Sequence, residues 1–262
     1  MFEYRFHNKP YYENLEKQLI EKVRKWFANK GPNAKAVIGV SGGKDSTVCL
    51  AILARALGPA RIIPVLLPND FQADIDDSHD ICWAVAGIEK PWVVNIGPMY
   101  EYLCNFIVQK SKAVTLSPVL ETNTPARLRM TTLYAVAAQM NGYVCNTGNR
   151  SEAYVGYCTK WGDAVGDFEI IHDLTCREVI ELGMTMGIDE RFILKAPADG
   201  MSGKTDEEKL GFTYAELDEY LIRGREGLEK AGIGISDEVL DKIEAMHNNP
   251  NVRTKLITYY EE

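Results

Sequence analysis

The hexapeptide Ser41-Gly42-Gly43-Lys44-Asp45-Ser46 constrains this chain more than any other stretch. An apolar run, Ala36 to Val40, leads into it, and Thr47 to Leu57 follows with helical spacing and stops at Gly58-Pro59. The pattern predicts a short buried strand, a tight glycine turn and a helix. Such a unit is an anion site. Glycines let the backbone approach closely, the first N–H groups of the helix have no internal partner, and the helix dipole adds about half a positive charge there. The hydroxyls of Ser41 and Ser46 can serve the same guest, so a phosphate or pyrophosphate suits it best. Counting excludes two better-known loops. A Walker A loop places four residues between its first glycine and Gly-Lys-[Ser/Thr]. Here three separate Gly39 from Gly43, and Asp45 stands where the hydroxyl residue would be. The G-x-G-x-x-G dinucleotide fingerprint fails because Gly42 and Gly43 are adjacent. An acid beside a phosphate cradle makes electrostatic sense with a divalent cation between them.

The rest of the chain frames this loop. Apolar positions from Tyr11 to Lys30 predict an amphipathic helix ended by Gly31-Pro32. Arg61 to Leu67 reads as a second strand, although Pro64 is unfavourable in a central one. Asp74 to Ala86 is expected as helix, Pro91 to Ile96 as strand, Met99 to Gln109 as helix and Ser111 to Thr122 as loop. Asn123 to Met140 then reads as helix and Gly142 to Asn146 as a fourth strand. Helices alternating with short apolar strands predict an α/β fold, a doubly wound, mostly parallel sheet with helices on both faces. Ligands of such sheets bind at the carboxyl ends of the strands. The Ser41 loop and the polar turn Thr147 to Glu152 should both emerge there. Cys176 to Gly187 is a short helix, and Lys195 to Gly211 lacks periodicity and is a candidate mobile lid. Tyr214 to Arg223 and Asp237 to His247 are closing helices.

Composition narrows the function classes. The 262 residues, 46% apolar and 25% charged, suffice for a single domain with an unstapled core. A net charge of −8 argues against nucleic-acid or acidic-membrane binding, leaving room only for a local basic pocket. The six cysteines form no C-x-x-C pair, which suits reduced thiols in the cytoplasm. No apolar run approaches membrane-spanning length, and the N-terminus has no signal-type apolar core, so a soluble cytoplasmic protein is expected.

The S-G-G-x-D-S loop resembles that of the ATP pyrophosphatases, which cleave ATP between its α- and β-phosphates. Further blocks narrow the resemblance: Leu67-Pro68 with Gln72-Ala73-Asp74, Asn123 through Met130, Gly148 through Glu152, Tyr157 through Asp163, and Lys204 through Tyr214. In this order they are similar to the ammonia-dependent NAD synthetases, from about Val37 to Leu221. The resemblance implies amidation of deamido-NAD. ATP adenylates the nicotinate carboxylate with release of pyrophosphate, and ammonia then displaces AMP. It further implies that Gly39, Val40, Ser41, Gly42, Gly43, Lys44, Asp45 and Ser46 hold ATP with Thr147, and that Asp45 and Ser46 are catalytic. Asp45 and Glu152 are the implied Mg²⁺ ligands, and Arg127, Lys160 and Asp167 the residues that hold deamido-NAD. Arg127 and Arg129, two apart on a helix, point about 200° from each other. We therefore assign Arg127 to substrate and Arg129 to a structural or dimer contact. Lys204, on the candidate lid, either closes over phosphates or is solvated. The family's homodimeric state is also implied, with the apolar stretches Tyr100 to Val108 and Leu128 to Ala138 as its faces.

Three positions depart from the family pattern. Cys176 stands where many members carry an ATP-contacting lysine, so either Arg177 substitutes or the contact is absent. Ala198 follows Pro197 where Thr or Ser is usual, and Val252-Arg253 is the nearest match to a C-terminal His-Lys pair. Rival readings are another ATP-pyrophosphatase ligase, such as a GMP-synthetase-like amidator or a tRNA-modifying enzyme, and a non-catalytic nucleotide sensor. A tRNA enzyme would want a basic face and often paired cysteines or zinc ligands, which the composition does not offer. Too few residues precede Tyr11 for a glutaminase domain, so free ammonia, or ammonia from a separate protein, is the expected nitrogen donor.

Overall fold

A computed structural model describes residues 3–72, 74–195 and 205–249. Five parallel strands form one sheet in the order β3-β2-β1-β4-β5. They are β1 (Lys35–Gly39), β2 (Ile62–Leu66), β3 (Trp92–Val93), β4 (Gly142–Asn146) and β5 (Phe168–Glu169). The chain runs from β1 outward to β3, then returns to the other side of β1 for β4. The order therefore reverses between β1 and β4, which is where doubly wound sheets open a crevice at the strands' carboxyl ends.

Alternation along the strands sorts the core into two layers. From β1, Ala36 and Ile38 face α1 (Lys9–Ala28), α2 (Lys44–Leu57), α3 (Ile75–Ala86), α7 (Cys176–Thr185) and α8 (Glu190–Ile193). Val37 faces the other way, with Ile63, Val65 and Val144, onto Val136 and Ala137 of α5 (Pro118–Met140). A third cluster joins α6 (Arg150–Val155), α9 (Asp206–Leu210), α10 (Tyr214–Ala231) and α11 (Asp237–His247) through Val155, Leu210, Phe212, Leu217 and Ile243. Helix α4 (Gly97–Ser111) lies beside α5.

Several boundaries differ from those read off the sequence, each for a local reason. Pro64 does sit inside β2, opposite Ile38 of β1. Val65 turns its carbonyl to Val40 on the β1 side, and Leu66 turns its carbonyl to Val94 on the β3 side. Pro64 shares the parity of Leu66, so its nitrogen faces β3, whose pairing begins only at Val65. No ladder hydrogen bond is lost. Helix α5 starts at Pro118, inside the stretch expected as loop. Ser117 caps it by accepting from the Leu120 N–H, and proline suits the first helical position. The strand expected over Pro91 to Ile96 pairs for two residues only. The final part of the candidate lid is helix α9, capped by Thr205, with Leu210 buried. Residues 196–204, which hold Lys204 and Ala198, lie outside the described residues, as do Val252 and Arg253.

Candidate active site

The loop after β1 is built as its residues dictate. Gly42 takes φ +87°, a left-handed conformation that glycine adopts without strain. A side chain there would also press on the Ser78 hydroxyl, 3.1 Å from the Cβ position. Ser41 and Ser46 pair across the loop, Oγ to Oγ at 3.3 Å, and the Ser41 N–H donates to Ser46 Oγ. Ser46 is buried and its hydroxyl donates to the Gly43 carbonyl at 3.1 Å. The N-cap of α2 is Gly43, which offers no side chain to the first turn, whereas Asn149, Thr175 and Thr213 cap α6, α7 and α10. The start of α2 is thus left open to an external anion.

The turn after β4 brings the second acid to this loop. Asn149 is fully buried at the N-cap of α6 and does two things at once. With Glu152 it forms a capping box: its side chain accepts from the Glu152 N–H, while Glu152 Oε2 accepts from the Asn149 N–H at 3.1 Å. Its Nδ2 donates to Asp45 Oδ1 at 3.0 Å. One amide therefore locks Asp45 on α2 to Glu152 on α6, 107 positions apart in sequence. The other Asp45 oxygen accepts from Lys44 Nζ at 2.8 Å. Burial and the neighbouring Asp45 charge push the Glu152 carboxyl up to about 8, against the pull of Lys44. Burial disfavours the Lys44 ammonium, but the Asp45 and Glu152 carboxylates outweigh it and hold its pKa well above the ordinary value.

The sequence reading did not single out Asn149 or Tyr214. Asn-x-x-Glu at 149–152 is a helix-start pattern readable in the chain, but its reach to Asp45 is not. Tyr214, the first residue of α10, is buried with its ring centroid 5.8 Å from Lys44 Nζ. Cys176 is buried at the start of α7 with its thiol against Lys44, and burial pushes that thiol up. Arg177 points elsewhere, donating to Glu181 at 2.8 Å and to the Glu3 carbonyl at 2.5 Å. It is therefore not beside the phosphate loop in place of a lysine at 176. Thr147 is half-buried just beyond β4, next to Gly148, whose N–H donates to Asn146 Oδ1 at 2.6 Å.

The residues expected to hold the acceptor substrate are less tied together. Arg127 and Lys160 are exposed and adjacent, with Arg127 Nε donating to the Lys160 carbonyl at 3.2 Å. Arg129 points away, as the 200° argument requires, and donates to the Leu67 carbonyl at 3.0 Å at the end of β2. Asp167 accepts from the Val144 N–H at 2.7 Å and returns a backbone bond to the Val144 carbonyl, so one of its oxygens is committed to the β4 edge. Trp161 beside Lys160 is exposed at φ +61°, an unusual conformation for a bulky residue and one that recurs at functional sites.

The model of the NAD synthase family matches residues 11–256. The chain belongs to the NAD synthase family. A relative named NH(3)-dependent NAD(+) synthetase from Syntrophomonas wolfei is 37% identical over 87% of this chain and 89% of its own length. Its namesake from Methanoregula boonei is 36% identical over 80% and 83%. Among solved structures, an NMN synthetase from Francisella tularensis superposes with a TM-score of 0.79 at 29% identity, covering 95% of this chain and 99% of that one. An NH3-dependent NAD synthetase from Campylobacter jejuni gives 0.74 at 21% identity, over 95% and 99%, and shares the fold. The NAD synthase match runs from α1 past α11, so it takes in both the loop and the acid pair.

Proposed function

We propose that the protein is an NAD synthetase that amidates the nicotinate carboxylate of deamido-NAD with ammonia, spending ATP and releasing AMP and pyrophosphate. The observation that carries the reading is the Asp45–Asn149–Glu152 bridge over the uncapped start of α2, in a chain of this family. A carboxylate is a poor electrophile, and adenylation gives it a leaving group. The open N–H groups of α2, with the Ser41 and Ser46 hydroxyls, hold the phosphates where charge builds up as pyrophosphate departs. Two facing carboxylates beside a phosphate loop repel both each other and the guest. Their hard oxygens suit Mg²⁺, which binds through one or two carboxylates and completes its shell with phosphate oxygens and water. Bound there, the ion neutralises developing phosphate charge.

Arg127 on α5 and Lys160 in the loop after α6 supply cations for the acceptor's phosphates, and Asp167, with one oxygen held by the Val144 N–H of β4, offers the acceptor its other oxygen. A second acceptor deserves a place in the assay. The Francisella tularensis neighbour is named for NMN synthesis, so the mononucleotide, nicotinate ribotide, is the competing carboxylate to test. NAD and NMN formation should be measured with ATP, Mg²⁺ and ammonium against each acceptor, beside Asp45→Asn. NAD formation that collapses in the variant is the expected result. No product from either acceptor, with pyrophosphate released on some other carboxylate, would discard the substrate class while keeping the loop chemistry.

A homodimer is part of this reading. Met99, Tyr102, Phe106 and Ile107 of α4 are exposed on one helix, with Tyr102 77% accessible. Large apolar side chains exposed together on one helix suit a contact with a second copy. Light scattering should give twice the chain mass, and Phe106→Glu with Tyr102→Glu should halve it. All six cysteines are free thiols, in keeping with a reducing cytoplasm, and no helix of the described residues could cross a membrane.

A further inference from the structure

The position after the two loop glycines holds a side chain whose surroundings are hard to reconcile with a bystander. Lys44 is only 5% accessible. Its ammonium takes Asp45 Oδ2 at 2.8 Å, while Asn149 takes Oδ1, so both oxygens of the proposed cation ligand are occupied within the protein. Glu152 gives one oxygen to the Asn149 N–H, and Oε1 accepts no hydrogen bond among the described residues. The remaining walls are the Cys176 thiol and the Tyr214 ring, and the Tyr214 hydroxyl is buried without a hydrogen-bond partner. Among the described residues, Lys44 is the cation that acts on both acids. Two part-buried carboxylates held this close need a counter-charge, and this chain carries its own.

We infer that Lys44 is the resident counter-ion of the acid pair, holding the Asp45 oxygen that a divalent cation must take and surrendering it when the cation binds. As the first residue of α2, Lys44 sits where the loop receives phosphate, so its ammonium can exchange the Asp45 oxygen for a phosphate oxygen without leaving the site. The lysine is thus a positioning residue with two consequences. It keeps the nucleotide-free protein from binding divalent cations tightly, and it couples cation binding to nucleotide binding, since the phosphate gives the displaced ammonium a partner. The inference rests on the proposed cation site, and its test separates the two.

Mn²⁺ binding to the nucleotide-free protein, read by the electron paramagnetic resonance of free Mn²⁺, is the test. Lys44→Gln removes the competing charge and should bind Mn²⁺ about tenfold more tightly than the wild type. Lys44→Arg keeps the charge and should stay within about threefold of it. Asp45→Asn should abolish binding in both the wild-type and Lys44→Gln backgrounds. Should Lys44→Gln fail to fold in EDTA, its recovery by Mn²⁺ supports the inference and its failure to recover overturns it. Wild-type binding that depends on Asp45, with Lys44→Gln no tighter, overturns the counter-ion role alone. Binding indifferent to Asp45 overturns the cation site and the counter-ion role together.

Discussion

The two halves of the candidate site are built differently. On the phosphate side, Asp45, Glu152, Lys44 and Asn149 are packed among α2, α6 and α7, and each polar group is fixed by another. On the acceptor side, Arg127 and Lys160 stand exposed and meet only through a backbone carbonyl. The first half is preorganised, which is what charge stabilisation in a transition state demands, because donors that must first reorient lose the advantage. The second is shaped by what arrives. The contrast predicts that substitutions on the phosphate side lower kcat, whereas those on the acceptor side raise KM.

The largest effects belong to the acids. Asp45→Asn or Glu152→Gln should each lower kcat by about a thousandfold or more, with the fold retained by circular dichroism, since electrostatic groups of this kind are worth that much. Asn149→Ala comes next. It removes a helix cap worth about 1 kcal/mol and the bridge between the acids. We expect melting to fall by about 2–4 °C and kcat by more than that destabilisation explains. A loss in melting with full kcat would show that the bridge has no part in catalysis. Arg127→Ala and Lys160→Ala should raise KM for the acceptor about ten- to a hundredfold each, equivalent to about 1.4–2.8 kcal/mol, with melting unchanged. Asp167→Ala tests the boundary between the halves. It should lower stability by about 1.5–3 kcal/mol, because the Val144 N–H loses a charged acceptor. A KM effect without any stability loss would place Asp167 wholly on the substrate.

The same contrast explains what could be read from the chain. The loop, β1, β4 and the opening of α2 were legible because glycine spacing and apolar runs are local signals with one physical solution. The start of α5 was missed because the polar stretch before Asn123 carries Pro118, which Ser117 makes an ordinary helix start. The break inside α10 at Gly224, where φ is +67°, hid the continuation of that helix to Ala231. In the site, Asp45 and Glu152 were identified through a family pattern, and no spacing rule connects them. Asn149 escaped because its second partner follows the neighbouring strand, 104 positions away in sequence. The setting of Cys176 could not be read at all, since its contact with Lys44 exists only once α7 and α2 are packed.

The smallest effect distinguishes preorganisation from mere proximity. Glu152 is raised to about 8 in the folded protein, well above the ordinary range of a glutamate in an unfolded chain. Between about pH 4.5 and 8 the unfolded state has lost this proton while the folded state keeps it. The folded state then binds more protons, so stability falls as pH rises through that window and levels off above it. In EDTA, melting of the wild type should therefore decline by a few degrees from pH 5 to 8, and Glu152→Gln should lack that component of the slope. Saturating Mg²⁺ should flatten the wild-type profile, because the ion favours the ionised acid that burial and Asp45 disfavour. A wild-type slope identical to that of Glu152→Gln would mean that Asp45 and Glu152 do not share a field in the free protein, and the phosphate half would then be no more preassembled than the acceptor half.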